Sequence, residues 1–191
     1  MEYAFHARGD ASAAQPERRN RLTTEIAMLT DDEREAFAVH VMEEVRRWSG
    51  VEMRPHASPH EPGTSDGVEF RLSGRQIGHV HCDCAVHLTL TKALKASVVR
   101  ENLAEPLAIA PTSGWAMFNP TRPEDVQHAI WLLRVNYVRL RRQRLTPLAA
   151  ASSALVQKHE AALGTVSSTV SAVLRQTQMR MRPRPFPTLD S

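Results

Sequence analysis

Between Gly74 and Thr91 the chain alternates apolar and polar side chains in two short runs, Gly78-His79-Val80-His81 and Val86-His87-Leu88, separated by Cys82-Asp83-Cys84. Period-two alternation marks strands with one buried face, and two such runs across a short loop form an antiparallel hairpin. Opposed residues of an antiparallel pair have a constant index sum. A three-residue loop of Cys82, Asp83 and Cys84 therefore sets His81 opposite Ala85 and His79 opposite His87, so all three histidines share one face. Val80, Val86, Leu88 and Leu90 fall on the other face, a coherent apolar surface for a core. A two-residue loop would mix the faces. Such loops need a residue in the left-handed conformation, and Asp83 tolerates it best of the three.

The flanking sequence supplies elements to cover that surface. Thr30 with Glu33 forms a capping box, and Phe37, Val41, Val45 and Trp48 recur at helical spacing until Gly50. Val51 starts a strand that gives way to a proline-containing loop carrying His56 and His60. Val68, Phe70 and Leu72 alternate with Glu69 and Arg71, and Ser73-Gly74 turns into the hairpin. Thr91 to Ala104 reads as a helix with Leu94, Val98 and Leu103 inward, stopped before Pro106. Trp115 to Phe118 reads as a further strand, and Thr121 with Glu124 as a second capping box. The long helix after it has the stripe Val126, Ala129, Ile130, Leu133, Tyr137 and Leu140, and arginines crowd its C-terminal end, where the helix dipole favours cations.

The expected fold is α+β, a small antiparallel sheet of about four strands packed against helices. Residues 1–20, charged and without apolar period, read as a disordered leader, and residues 21–145 as the α+β domain. Residues 146–178 read as one appended helix through Leu155, Leu163, Val166, Val170 and Leu174, and residues 179–191 as a basic, proline-rich, disordered tail. The apolar side of the appended helix, with Val166, Val170 and Val173, is an expected oligomer or partner face.

Several function classes recede. No apolar run approaches the roughly 18 residues of a membrane span, and the first residues lack a signal-peptide core, so a cytoplasmic protein without membrane contact is expected. Two cysteines two positions apart make no disulfide framework. The formal charge of +3 resides largely in one helix end and the tail, which is a poor footprint for nucleic acid.

Three histidines on one face invite chemistry, because the ordinary imidazole pKa of about 6.5 allows acid, base or neutral-ligand roles near neutral pH. Opposed hairpin residues lie about 4.5–5.5 Å apart, so His79, His81 and His87 can reach one metal ion, with Asp83 nearby. Zinc would suit hydrolysis and iron oxygen chemistry. Cys82 and Cys84 would add thiolates only if the register slipped. A non-enzymatic reading makes the hairpin and Trp115 a ligand-binding pocket.

The runs Trp48-Ser49-Gly50-Val51, Gly67-Val68-Glu69-Phe70-Arg71, Arg75-Gln76-Ile77-Gly78-His79-Val80-His81, Ser113-Gly114-Trp115 and Ala129-Ile130-Trp131-Leu132-Leu133-Arg134-Val135-Asn136-Tyr137 resemble, in order, a luciferase-like domain family with bacterial members that includes the fungal luciferases. His87-Leu88 is similar to a later histidine-leucine pair of the fungal pattern. The resemblance implies a cofactor-independent oxidoreductase, an oxygenase acting with molecular oxygen on a small planar enolisable compound, as fungal luciferases oxidise a hydroxylated pyrone. In that reading His79 or His81 is the general base with His87 beside it, since an enolate reacts with oxygen far more readily than its neutral parent. Arg75 stabilises the oxyanion, and Trp115 and Asp83 contact the substrate. Compared with the fungal pattern, the loop between His81 and His87 is shorter and the hydrophobic N-terminal segment is missing.

Overall fold

The computed structural model describes residues 29–58 and 63–179. The expected leader, His60 and the basic tail from residue 180 lie outside the described residues. The chain order is α1 (Asp31–Val45), β1 (Val51–Ala57), β2 (Ser65–Leu72), β3 (Arg75–His81), β4 (Val86–Thr89), α2 (Lys92–Arg100), β5 (Glu105–Pro106), β6 (Trp115–Phe118), α3 (Val126–Arg142), α4 (Pro147–Ser152), α5 (Ala154–Ala161) and α6 (Ser168–Met179).

The class is α+β, with one open antiparallel sheet in the order β1-β2-β3-β4-β6-β5. It has six strands where about four were expected. The additions are the two-residue β5 and the continuation of β1 through Pro55 and His56, where the prolines predict a loop. A proline has no N–H for a ladder bond, but β1 is an edge strand paired only with β2, where that loss is tolerated.

The capping box at α1 forms as expected: the Thr30 N–H donates to Glu33 Oε2 at 2.8 Å, and the Glu33 N–H donates to Thr30 Oγ1 at 3.3 Å. The second one does not. Pro123–Asp125 form a 3-10 turn ahead of α3, and the Asp125 carboxylate, not Glu124, accepts from the Thr121 N–H at 2.8 Å and the Arg122 N–H at 3.1 Å. Helix α2 ends at Arg100, short of the expected Ala104, because Asn102 turns left-handed at φ 55°.

Helix α3 lies against β3 and β4, α1 against β3 and α3, and α2 against β5 and β6. Phe37, Val41 and Val45 of α1 and the expected stripe of α3 are buried against Phe70, Leu72, Val80, Val86 and Leu88 of the sheet. The predicted apolar side of the hairpin is thus the core side. Instead of one appended helix the chain makes three, and Leu163, Val170 and Leu174 join the same core, with α6 resting on α2 and α3. The residues offered to a partner by the sequence pack within the chain. Among the described residues, no helix is long and apolar enough to cross a membrane.

Candidate active site on the open face of the sheet

The hairpin takes the register that a three-residue loop dictates. His79 pairs with His87 and Val80 with Val86, and the His81 N–H donates to the Ala85 carbonyl at 2.9 Å. The left-handed residue is Cys84, at φ 66°, rather than Asp83. The Asp83 carboxylate instead accepts from the Ala85 N–H at 3.1 Å, an Asx-type bond that closes the turn. Asp83 is exposed at the hairpin tip, and Cys84 points into the core, where burial pushes its thiol up to about 11 and keeps it protonated.

A bulge in β3 decides which side chains reach the histidine face. Phe70 of β2 pairs with Gly78, but the next residue, Arg71, pairs with Gln76, leaving Ile77 extra. The alternation flips there. Ile77 turns into the core at 0 % exposure, and Arg75 donates to Gln143 Oε1 beside α3 at 2.9 Å. The bulge thus turns Arg75 away from His79 and His81 and brings Gln76 to their side.

On the open face the imidazoles converge. His79 Nε2 lies 3.0 Å from His81 Nε2 and 3.0 Å from His87 Nδ1, and the latter two are 3.2 Å apart. The outer nitrogens are braced. His81 Nδ1–H faces Asp66 Oδ2 of β2 at 3.2 Å, and the Gln76 amide donates to His79 Nδ1 at 2.9 Å. His56, from the edge strand, stacks on His79 with ring centroids 3.7 Å apart and planes within 15°. His56, His79 and His81 also each offer a ligand atom within 4.8 Å of one another. Trp115 of β6 stands beside His79, centroids 5.6 Å apart. Asp66 Oδ1 is buried with no hydrogen-bond partner, and His56 Nε2 is 3.9 Å from it.

This packing keeps His79 and His87 neutral. Burial, then the neighbouring His56, His81 and His87, depress His79 to about 2, and burial followed by His81 depresses His87 to about 4. Neutrality does not remove the conflict. Each of the three facing nitrogens is either an N–H or a lone pair, so at least two are alike, and one side of the triangle must bring two protons or two lone pairs together. A cation resolves this by engaging three lone pairs at once. Imidazole nitrogens about 2.1 Å from a tetrahedral ion stand about 3.4 Å from one another, close to the observed triangle. The Asp66 contact to the outer nitrogen of His81 is the carboxylate–histidine arrangement that orients ligands and raises their basicity.

His79, His81, His87 and Trp115 are therefore brought together as a group, while Arg75 and Asp83 stand apart from the triangle. The sequence reading missed His56, Asp66 and Gln76. Gln76 was hidden by the bulge. His56 pairs with Gly67, and Asp66, left out of the register at the irregularity beside it, comes within 3.9 Å of His56, a contact visible only once β1 is known to run through Pro55. The model of the luciferase domain family matches residues 74–136 of this chain, a span that holds the whole hairpin, Trp115 and most of α3. No curated protein and no solved structure matches it.

Proposed function

We propose that this luciferase-like protein is an oxygen-dependent enzyme for a small, planar, enolisable compound, and that it works through one divalent cation held by His79 Nε2, His81 Nε2 and His87 Nδ1. The observation that carries the reading is the triangle of nitrogens at 3.0–3.2 Å, which leaves no imidazole in it free to take a substrate proton while the other two stay satisfied. The three imidazoles would hold the cation, and it would supply Lewis acidity that favours the ionised form of an enol near neutral pH. Trp115 offers a flat wall for the ring. With Nε2 engaged, His79 Nδ1 would carry the proton, and the Gln76 amide, which faces Nδ1 through its nitrogen in the metal-free arrangement, would turn over to accept through its oxygen. Imidazole donors suit iron for oxygen chemistry and zinc for hydrolysis.

A second reading keeps the same substrate class without a metal. The contact between His81 Nδ1 and Asp66 supports it, because a carboxylate behind an imidazole fixes the tautomer and strengthens the other nitrogen as a base. In that reading His81 is the general base and oxygen meets the enolate directly.

Elemental mass spectrometry on untagged protein separates them. The metal reading expects about one transition ion per chain, lost in His79→Ala, His81→Ala and His87→Ala. Metal-free protein that still consumes oxygen with enolisable hydroxypyrones, and loses that activity in Asp66→Asn, would establish the second reading and end the first.

A further inference from the structure

From the buried polar residues of α3 we infer that Asn136 is a positioning residue for the histidine site, acting through the β3 bulge on the other side of the sheet. The inference rests on the metal reading for its first readout. The bulge at Ile77 interrupts the ladder and leaves carbonyls in need of donors. Asn136, fully buried, supplies them: its Nδ2 donates to the Ile77 carbonyl at 2.5 Å and to the Thr89 carbonyl at 3.2 Å. Thr89 Oγ1 donates to the Gln76 carbonyl at 2.5 Å. Arg139, 2 % exposed, donates from Nε to Asn136 Oδ1 at 2.7 Å, from Nη2 to the Thr89 carbonyl and from Nη1 to Gln143 Oε1.

No carboxylate accepts from this buried guanidinium among these partners, an unusual expense in a largely apolar core. What the network does hold is specific. It fixes the backbone of Gln76 and Ile77 on one strand and Thr89 on the next. The Gln76 side chain bonds His79 Nδ1, and the strand after the bulge carries His79 and His81. Without the bulge those two histidines would share a face with Arg75 and Ile77. Asn136 therefore sets both the face and the angle from which two of the three nitrogens enter the triangle.

The test compares Asn136→Ala and Thr89→Val with Val138→Ala, a fully buried apolar change on the same helix. Zinc affinity is read by competition with a chromophoric chelator, and the imidazole nitrogens by long-range ¹H–¹⁵N NMR on metal-free protein. The expected result is a 10- to 100-fold weaker zinc affinity in Asn136→Ala, the usual effect of removing a group that orients ligands. Thr89→Val, which keeps its shape, is expected to weaken it less, and Val138→Ala to leave it within about threefold at a comparable drop in melting temperature. Equal losses in Asn136→Ala and Val138→Ala, or none in either brace variant, overturn the positioning role. If the wild type binds no zinc, the metal reading fails and the nitrogen spectra decide: a His79 tautomer changed in Asn136→Ala or Thr89→Val but not in Val138→Ala sustains the brace, and unchanged spectra refute it.

Discussion

The two faces of the sheet bury side chains for opposite reasons. On the helix side Phe70, Ile77, Leu88 and Leu133 are completely enclosed, and each contributes on the order of 1.5–3 kcal/mol by leaving water. On the open side His79 is nearly as enclosed, at 3 % exposure, but its neighbours are other imidazoles. Its burial strips water from a polar ring and sets nitrogens against one another. One face holds the domain together; the other is a strained arrangement that the first face keeps in place, the usual relation between a scaffold and a site.

Exchanging residues between these two accounts tests the distinction. The largest effect belongs to the covered face. Leu133→Ala should lower unfolding free energy by about 2–5 kcal/mol in urea titrations, whereas His79→Ala in metal-free protein should lower it by less than about 1 kcal/mol, because the lost contacts are offset by relief of the nitrogen conflict. Similar losses would mean that His79 is simply a core residue. Next in size is the response to metal. Zinc at a hundred times its dissociation constant should stabilise the wild type by about 2.7 kcal/mol, a rise of roughly 5–10 °C in melting temperature. Leu133→Ala should keep that rise, and each of the three histidine-to-alanine variants should lose it.

A histidine on the covered side gives a smaller, pH-dependent effect. His159 of α5 is packed against Trp48 and Tyr137, and burial, followed by Arg134, holds it near 4. Its folded value lies below the unfolded value of about 6.5, so as pH falls the unfolded chain takes the proton first. The contribution is whole above about pH 6.5, drains away between there and about 4, and is then constant. It amounts to roughly 3 kcal/mol. His159→Phe should flatten that part of the stability profile, measured with zinc present so that the open face is held fixed. Cys82→Ser should be smallest, within about 0.5 kcal/mol and without effect on zinc affinity, since Cys82 is exposed at the hairpin tip. A clear loss of zinc affinity there would bring the thiol into the ligand set.

What could be read from the sequence was whatever depends on neighbours along the chain. The hairpin register followed from the loop length, and the common face of His79, His81 and His87 followed from the register. Helix α1 was legible because its cap and its stripe are local. The bulge was not, because the group that stabilises it, Asn136, lies 59 positions from Ile77. The turn of Arg75 away from the histidines was hidden for the same reason. Cys84 took the left-handed turn position against its own preference because its side chain is 2 % exposed in the core, a tertiary demand that outweighs a turn propensity. The division of the C-terminal segment into three helices likewise depends on what α6 meets, namely α2 and α3.

The proposed donor nitrogens span only eight positions, His79 to His87, while their brace is far downstream. Closing so short a stretch loses little chain entropy. During synthesis, at about 5–20 residues per second, His87 emerges roughly 2–10 s before Asn136 does. In that interval the three imidazoles can already gather, on a strand whose bulge nothing yet fixes. Docking of α3 then converts a pliable clasp into a rigid one, so an ion captured early would be loosely held at first and locked in only as the domain closes around it.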